Sequence, residues 1–299
     1  NKEKEKLGGQ RERMNKKAAL RFQGNQKEFM NIFHELCYSR QPWEVWSDVV
    51  TMMACSIANA ADRTEGRYEK REKEYAECLK RVGSVEKPAQ LLAVIVNALE
   101  EDPEQDFLGQ MYMGLNLGNR WKGQVFTPYN VCRMMAEMNF GDGAKAEAES
   151  KGYLSVCDPC VGAGAMLIAA ANAMRRADIN YQTSAVFVGQ DVDRVVALMA
   201  YIQLSLLGCP GYIIVGDSLL HPPTGHVLFP QETEGQELWI MPMFQTDVWN
   251  MRRLAVMMEH ICGAAATKKP VEKERYFMFF NFKEQEAGNG REESAGCIQ

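Results

Sequence analysis

The chain has 299 residues, 46% hydrophobic and 24% charged, which is ordinary for a globular protein and long enough to bury a sizeable core. Its 34 Lys and Arg against 39 Asp and Glu leave a net charge of −5, so the chain as a whole lacks the cationic surplus by which a self-sufficient nucleic-acid binder neutralises phosphates. No run of about 18 apolar residues offers a membrane span and the start lacks an apolar signal core; nine scattered cysteines, an odd number, do not suggest a disulfide framework, so the expectation is a cytoplasmic protein with no membrane partner.

Asn1 to about Gln26 is polar and rich in Lys and Arg, with Gly8-Gly9 and Gly24 as breakers, and residues 1–26 are expected to form a mobile arm, either a solvated tail or a contact for nucleic acid. From Phe29 to about Leu117 the pattern is helical. Phe29, Phe33, Leu36 and Cys37 recur at helix spacing, Pro42 opens an apolar stretch from Trp43 to Asn59, Arg67 to Arg81 is a charged helix, and Pro88 opens Leu91 to Leu99. Residues 27–122 are therefore expected to pack as a helical bundle with its aromatics in the core.

Beyond Gly123 the texture changes. Thr127 as N-cap and Pro128 at the first helical position predict a helix start, with Val131, Met134, Met135 and Met138 on one face. Strands are predicted at Tyr153–Cys157, Ala185–Val188, Tyr212–Val215, more weakly at Leu238–Ile240, and at Tyr276–Phe282. Helices from Met166 to Met174 and from Val195 to Leu207, the second stopped by Gly208, alternate with the first three. The alternation predicts an α/β class with a mostly parallel, doubly wound sheet over residues 123–285, then a flexible tail at 286–299. Ligands of such sheets bind at the carboxyl ends of the strands.

The glycines and acids fall at those ends. Asp158-Pro159-Cys160-Val161-Gly162-Ala163-Gly164 places a glycine turn between a strand and a helix, where the backbone can approach a ligand and free N–H groups are offered. The third glycine of a dinucleotide fingerprint is missing, which weakens a nucleotide-binding oxidoreductase reading. Asp191, in Gly189-Gln190-Asp191-Val192-Asp193, can accept from both ribose hydroxyls of an adenosine, and Asp217, in Gly216-Asp217-Ser218, from an adenine amino group. Each acid alone is more simply a cap of the turn or helix that follows; three at successive tips beside a glycine turn favour a nucleoside site. Cys157-Asp158-Pro159-Cys160 is formally C-x-x-C, but no second Cys/His pair has matching spacing, so incidental cysteines and no metal are expected.

These segments carry a resemblance. Gly123-Gln124-Val125-Phe126-Thr127-Pro128 resembles the G-x-F-[FY]-T-P segment of adenine-N6 DNA methyltransferases, most like the modification subunits of type I restriction–modification systems. Asp158 to Gly164 is similar to that family's D-P-A-C-G-S-G, Gly189 to Asp193 to its G-Q-E-x-D, Gly216-Asp217-Ser218-Leu219 to its G-D-[ST]-L, and Asp106 to Tyr112 to the helix ahead of the first motif. The resemblance covers about Asp106 to Phe244. It implies a Rossmann-like methyltransferase fold binding S-adenosylmethionine, with Thr127 and the loop Asp158 to Gly164, which includes Pro159 and Gly162, holding the methionine part, Asp191 at the ribose and Asp217 at the adenine, and with Phe126, Pro128, Asp193 and Ser218 as further cofactor-binding residues.

The family's catalytic loop, [DNS]-P-P-[YFW], follows the fourth strand and receives a flipped-out base. The matching place here is Met241-Pro242-Met243-Phe244: Pro242 and Phe244 fit, but Met241 replaces the acceptor, and a thioether accepts poorly. His221-Pro222-Pro223 reads as a loop turn, and Arg252 and Arg253 as either a phosphate contact or a solvated helix face. No separate target-recognition domain and no final hairpin of the methyltransferase sheet are visible. The resemblance thus implies DNA as substrate, read through a specificity subunit, with a protein partner or a homo-oligomer also open. Two functions stay in play: a DNA adenine methyltransferase, weak or inactive alone, and a non-catalytic cofactor-binding scaffold or sensor of a phage or mobile-element system.

Overall fold

The computed structural model describes residues 22–38, 40–117, 126–140, 142–263 and 277–278, so most of the expected arm and all of the expected tail lie outside the described residues. Gly24–Gln26, expected in the arm, are instead the first turn of helix α1 (Gly24–Leu36), and Phe22 before it is buried. An aromatic side chain ahead of the helix and Phe29 and Phe33 within it give the segment enough apolar area to dock.

The bundle continues with α2 (Pro42–Ala61), α3 (Arg67–Val82), α4 (Glu86–Glu101) and α5 (Phe107–Gly114). Its centre is aromatic: Trp46 lies 5.8 Å from Phe29 and 5.5 Å from Phe33, ring centre to ring centre, and Phe29 is 5.7 Å from Phe107. Pro42 occupies the first turn of α2 as predicted, whereas α4 begins at Glu86, which puts Pro88 inside the helix rather than at its start; proline is tolerated there because the first-turn N–H groups have no intrahelical partner.

Helices α6 (Tyr129–Asn139) and α7 (Asp142–Lys151) lead to the sheet. It comprises β1 (Leu154–Asp158), β2 (Ala185–Asp191), β3 (Gly211–Val215), β4 (Glu237–Ile240) and β5 (Phe277–Met278), in the order β4-β3-β2-β1-β5. Helices α8 (Ala165–Arg176) and α10 (Arg194–Leu206) make the crossovers, with the one-turn α9 (Tyr181–Ser184) ahead of β2. β1 pairs in parallel with β2 and with β5, and β2 with β3. β4 departs from the expected run: it is an edge strand antiparallel to β3.

Side chains alternate across the pleat. Val156, Ala185, Phe187 and Ile213 join one core shared with α8, α10 and the bundle. Val186, Val188, Tyr212 and Ile214 join a second core with Phe244 and with Trp249 of α11 (Asp247–Gly263). The sheet is thus covered on both faces, as an α/β architecture requires. The first core runs from Phe22 to Met241, so the bundle and the sheet are packed against each other without an intervening polar layer.

Two polar ties cross that packing. Arg194 donates to Glu237 of β4 at 2.6 Å and to Glu74 of α3 at 2.9 Å, and its guanidinium lies 5.5 Å from the Trp239 ring centre. Gln203, fully buried in the otherwise apolar α10, donates through Nε2 to Asp106 Oδ1 and to the Ala163 carbonyl, both at 2.8 Å, and accepts from the Leu108 N–H at 3.0 Å. Replacing Gln203 by Leu leaves the Ala163 carbonyl and the Leu108 N–H unpaired, at about 1–3 kcal/mol each, and takes from Asp106 Oδ1 one of its two donors. We expect Gln203→Leu to lose about 3 kcal/mol or more of stability in urea unfolding; a loss below about 1 kcal/mol would show that the tie does not carry the joint.

Candidate functional site

The three predicted acids stand at adjacent strand ends, and the sheet register sets their stagger. Asp158 is level with Gly189, two residues short of Asp191; Asp191 is level with Val215, two residues short of Asp217. Neighbouring strands lie about 4.8 Å apart, so the acids step along one rim of the sheet. Backbone bonds tie the rim together: Val161 N–H donates to the Gln190 carbonyl and Gly216 N–H to the Asp191 carbonyl, each at 2.9 Å.

Each acid has its own local work. Asp158 Oδ1 accepts from Cys160 N–H at 3.0 Å. Asp191 spans two loops, accepting from Gly162 N–H at 3.0 Å with Oδ2 and from Asp193 N–H at 2.9 Å with Oδ1. Asp193 caps α10 through Val195 N–H at 3.1 Å. Asp217 Oδ1 accepts from Leu219 N–H at 2.8 Å and Leu220 N–H at 3.2 Å. The capping use expected of a single strand-tip acid is therefore present at Asp193 and Asp217, while Asp191 is the acid that joins two strand ends. Ser218 approaches the Cys160 thiol, which brings the β3 loop against the β1 loop. A polar residue that the motif reading passed over, Gln190, is fully buried and donates to the His221 carbonyl at 2.9 Å; Gln236 donates to the same oxygen at 2.7 Å, fixing the turn that holds Asp217.

The glycine turn has two different reasons for its glycines. Gly162 has φ +56°, and a Cβ there would meet the Phe126 ring at 3.5 Å; Gly164 has φ +97°, and a Cβ would press on the Ala200 backbone at 3.3 Å. Gly162 thus faces the Phe126 segment, and Gly164 lets α8 start against α10. Phe126 is half-buried and stacks on Tyr112 at 5.7 Å, with Thr127 and Pro128 exposed beside it and Pro159 half-buried on the β1 loop. Thr127 does not cap α6: the flanking residue is Pro128, whose carbonyl accepts from Val131 and Cys132 N–H, and Tyr129 is the first helical residue. Of the expected apolar face only Met135 packs against the core. Cys132 and Ala136 are buried, whereas Val131, Met134 and Met138 are exposed, because α6 packs closely on α8 through its small side chains.

The expected catalytic loop is elsewhere. Because β4 is antiparallel, its carboxyl end lies beside the amino end of β3, and Met241 N–H donates to the Gly211 carbonyl at 3.0 Å. Met241 is fully buried in the first core, and Pro242 begins the 3₁₀ turn Pro242–Gln245. Phe244 is buried between Tyr212 and Trp249, with the Arg253 guanidinium 4.6 Å from its ring centre. Pro242, half-buried, and Phe244, in the second core, lie at the opposite end of the sheet from Asp158, Asp191 and Asp217. Arg252 and Arg253 are half-buried and donate to the Thr183 and Phe244 carbonyls, both at 2.7 Å. The strand that lies parallel beside β1 on its outer side is β5, and the residues that follow it fall outside the described set.

Burial dominates the electrostatics of the rim. It pushes the Asp158 carboxyl from an ordinary 3.8 up to about 6, with Asp191 repelling in the same sense, and it raises Asp191 as well. The buried Cys157 thiol is pushed up to about 12, while Cys160 is exposed, and neither is in a disulfide. Among the described residues no three His, Cys, Asp or Glu cluster as a metal site, and no helix is long and apolar enough to cross a membrane.

A family model for N-6 DNA methylase matches residues 103–269, and no curated protein matches the chain. Among solved structures the chain is similar to the type I restriction-modification system methyltransferase subunit from Streptococcus thermophilus, at 13% identity and a TM-score of 0.29, over 62% of this chain and 56% of that one.

The raised Asp158 carboxyl has a measurable consequence. A folded-state value above the unfolded one means the native state binds the proton more tightly, so its contribution declines as pH rises from about 4 through about 6 and then levels off. Asp158→Asn is neutral throughout and keeps the acceptor for Cys160. We expect its stability relative to the parent to improve by up to about 3 kcal/mol between pH 4 and pH 7; a difference that does not change with pH would refute the assignment.

Proposed function

The chain belongs to the N-6 DNA methylase family, and we propose that its strand-tip rim binds S-adenosylmethionine for methyl transfer to adenine in DNA. The observation that carries this reading is the staggered set Asp158, Asp191 and Asp217 at three adjoining strand ends, closed by a glycine turn that faces Phe126.

The residues present fit the cofactor by their chemistry. Asp191 is held from both sides by backbone donors, and each of its oxygens keeps a lone pair for a ribose hydroxyl. Val192, Leu219 and Leu220 are large exposed apolar side chains beside Asp191 and Asp217, a suitable rim for a purine face, with Asp217 and Ser218 at its edge. Gly162 brings the turn close to the Phe126 ring, where even a Cβ would already be in contact, so the backbone of the turn lies open beside Thr127 and Pro128. The carboxylates, buried and mutually repelling, favour a ligand with positive charge. When bound, the cofactor supplies an electrophilic methyl group on a sulfonium. The protein's share is to hold the adenosine at Asp191 and Asp217 and to keep that methyl over the β1 loop.

A base acceptor is the open part of the machinery. No Asn-Pro-Pro-aromatic sequence, nor its Asp or Ser equivalent, occurs anywhere in the chain, and the Met241 loop is core. This favours weak or absent turnover by the chain alone, through loss of a preorganised acceptor rather than through the Met241 substitution itself. It equally supports the second reading, a cofactor-binding scaffold or sensor. Sequence recognition in DNA would fall to a specificity subunit, in keeping with the net charge of −5.

Calorimetric titration with S-adenosylmethionine tests the reading. We expect micromolar affinity, weakened about 10- to 100-fold by Asp191→Ala, since hydrogen bonds to a charged acceptor are worth about 1.5–3 kcal/mol. Affinity unchanged by that substitution would remove the ribose assignment. Tritiated-methyl transfer to mixed DNA should be weak; rapid turnover would defeat the missing-acceptor argument.

A further inference from the structure

We propose that the buried carboxylate of Asp106 anchors the α-ammonium group of the cofactor's methionine moiety, in the cavity beside the glycine turn. The proposal rests on the reading of the strand tips as an S-adenosylmethionine site and extends that site to a helix of the bundle.

A cavity of about 290 Å³ is bounded by Phe22, Asp106, Gly109, Phe126, Thr127 and Pro128, among others. It adjoins the rim, because Phe126 is both its wall and the ring against Gly162. Asp106 is 5% exposed. Its Oδ1 is engaged twice at 2.8 Å, by the Gly109 N–H and by Gln203 Nε2, while Oδ2 has no donor among the described residues. Oδ2 lies where a side chain at residue 109 would begin: a Cβ on Gly109 would be 1.9 Å from it. With glycine there, the oxygen has an open path into a cavity that Asp106 and Gly109 both line.

Position and charge point to the same group. The Gln203 amide donates to Asp106 Oδ1 and to the Ala163 carbonyl, so the carboxylate is one side-chain amide away from the Gly162–Gly164 turn. Asp191 accepts from Gly162 N–H, Gly162 faces Phe126, and Phe126 and Thr127 line the cavity, so a methionine chain leaving an adenosine at Asp191 along the turn would head toward it. Among the described residues its lining includes no Lys or Arg, so none of them gives the carboxylate a counter-ion, and an ammonium group is the part of the ligand that supplies one. Burial also raises the Asp106 carboxyl. Burial therefore works against ionisation of this carboxyl and an arriving ammonium works for it, so binding shifts the group toward giving up its proton.

The test compares two ligands that share an adenosine. 5′-Methylthioadenosine keeps the nucleoside and lacks the amino acid. We expect Asp106→Asn to weaken S-adenosylmethionine about 10- to 100-fold and methylthioadenosine by less than about threefold, whereas Asp191→Ala weakens both. Titration of the parent chain with S-adenosylmethionine in buffers of different ionisation enthalpy should report proton release that Asp106→Asn reduces. Equal loss of both ligands in Asp106→Asn, without buffer-dependent proton release in the parent, would overturn the proposal. Failure of the parent to bind either ligand would instead sink the strand-tip reading. Should Asp106→Asn not fold, the parent alone decides: a deaminated cofactor that keeps its carboxylate should bind at least about tenfold more weakly than S-adenosylmethionine, and equal affinity would refute the anchor.

Discussion

The joint between bundle and sheet depends on one buried amide. Gln203 sits on a helix whose neighbours are Tyr201, Ile202 and Leu204, all buried, so its polar end has no water to turn to and must find protein partners. It finds three: the Asp106 cap of α5, the Leu108 N–H in the first turn of that helix, and the Ala163 carbonyl inside the glycine turn. A second buried amide, Asn172 on the other crossover helix α8, donates to the Pro103 carbonyl at 2.8 Å. Both crossover helices thus hold the same short segment ahead of α5. Apolar packing alone would let the bundle slide over the sheet by a fraction of a helical turn at little cost; these directional bonds fix the register that brings Asp106 to the turn.

Local chemistry was readable in the sequence and long-range placement was not. The first three strands, both crossover helices and the tip acids follow from apolar runs ended by glycine or aspartate, signals that act within a few residues. β4 has four residues and follows a connection that spans residues 216–236, and nothing in Leu238-Trp239-Ile240 says which way the strand runs. That missing direction moved Pro242 and Phe244 from the rim to the opposite end of the sheet. The same limit applies to α6. Periodicity located a methionine stripe but could not say that Cys132 and Ala136, smaller and less apolar in total, would be the face pressed on α8. A signal was available for the Asp106 joint: a lone glutamine in an apolar helix is a polar group that needs a partner.

Arg252 and Arg253 show how context redirects a residue type. Each guanidinium lies over an aromatic ring, Arg252 at 5.2 Å from Trp249 and Arg253 at 4.6 Å from Phe244, and burial lowers both from their usual value. Their fork of donors closes carbonyls on α9 and at the 3₁₀ turn. They fasten α11 to the second face of the sheet, and so the basic pair that looked fit for phosphate is consumed in covering β2 and β3.

Capping and ligand binding at the rim are compatible because a carboxylate has more lone pairs than the turn consumes. Backbone donors to Asp158, Asp191 and Asp217 orient the groups and leave acceptor capacity facing outward. What those donors do not supply is charge: desolvation and mutual repulsion keep Asp158 and Asp191 reluctant to ionise. The free energy withheld in the empty rim is returned when hydroxyl donors and a cation occupy it, so ligand binding and carboxylate ionisation reinforce each other. A polyanion meets the opposite situation, since phosphates brought within a Debye length of about 8–10 Å of these acids are repelled. On the proposed reading, a cationic cofactor that neutralises the rim would therefore come first, and a phosphate backbone would approach once it has.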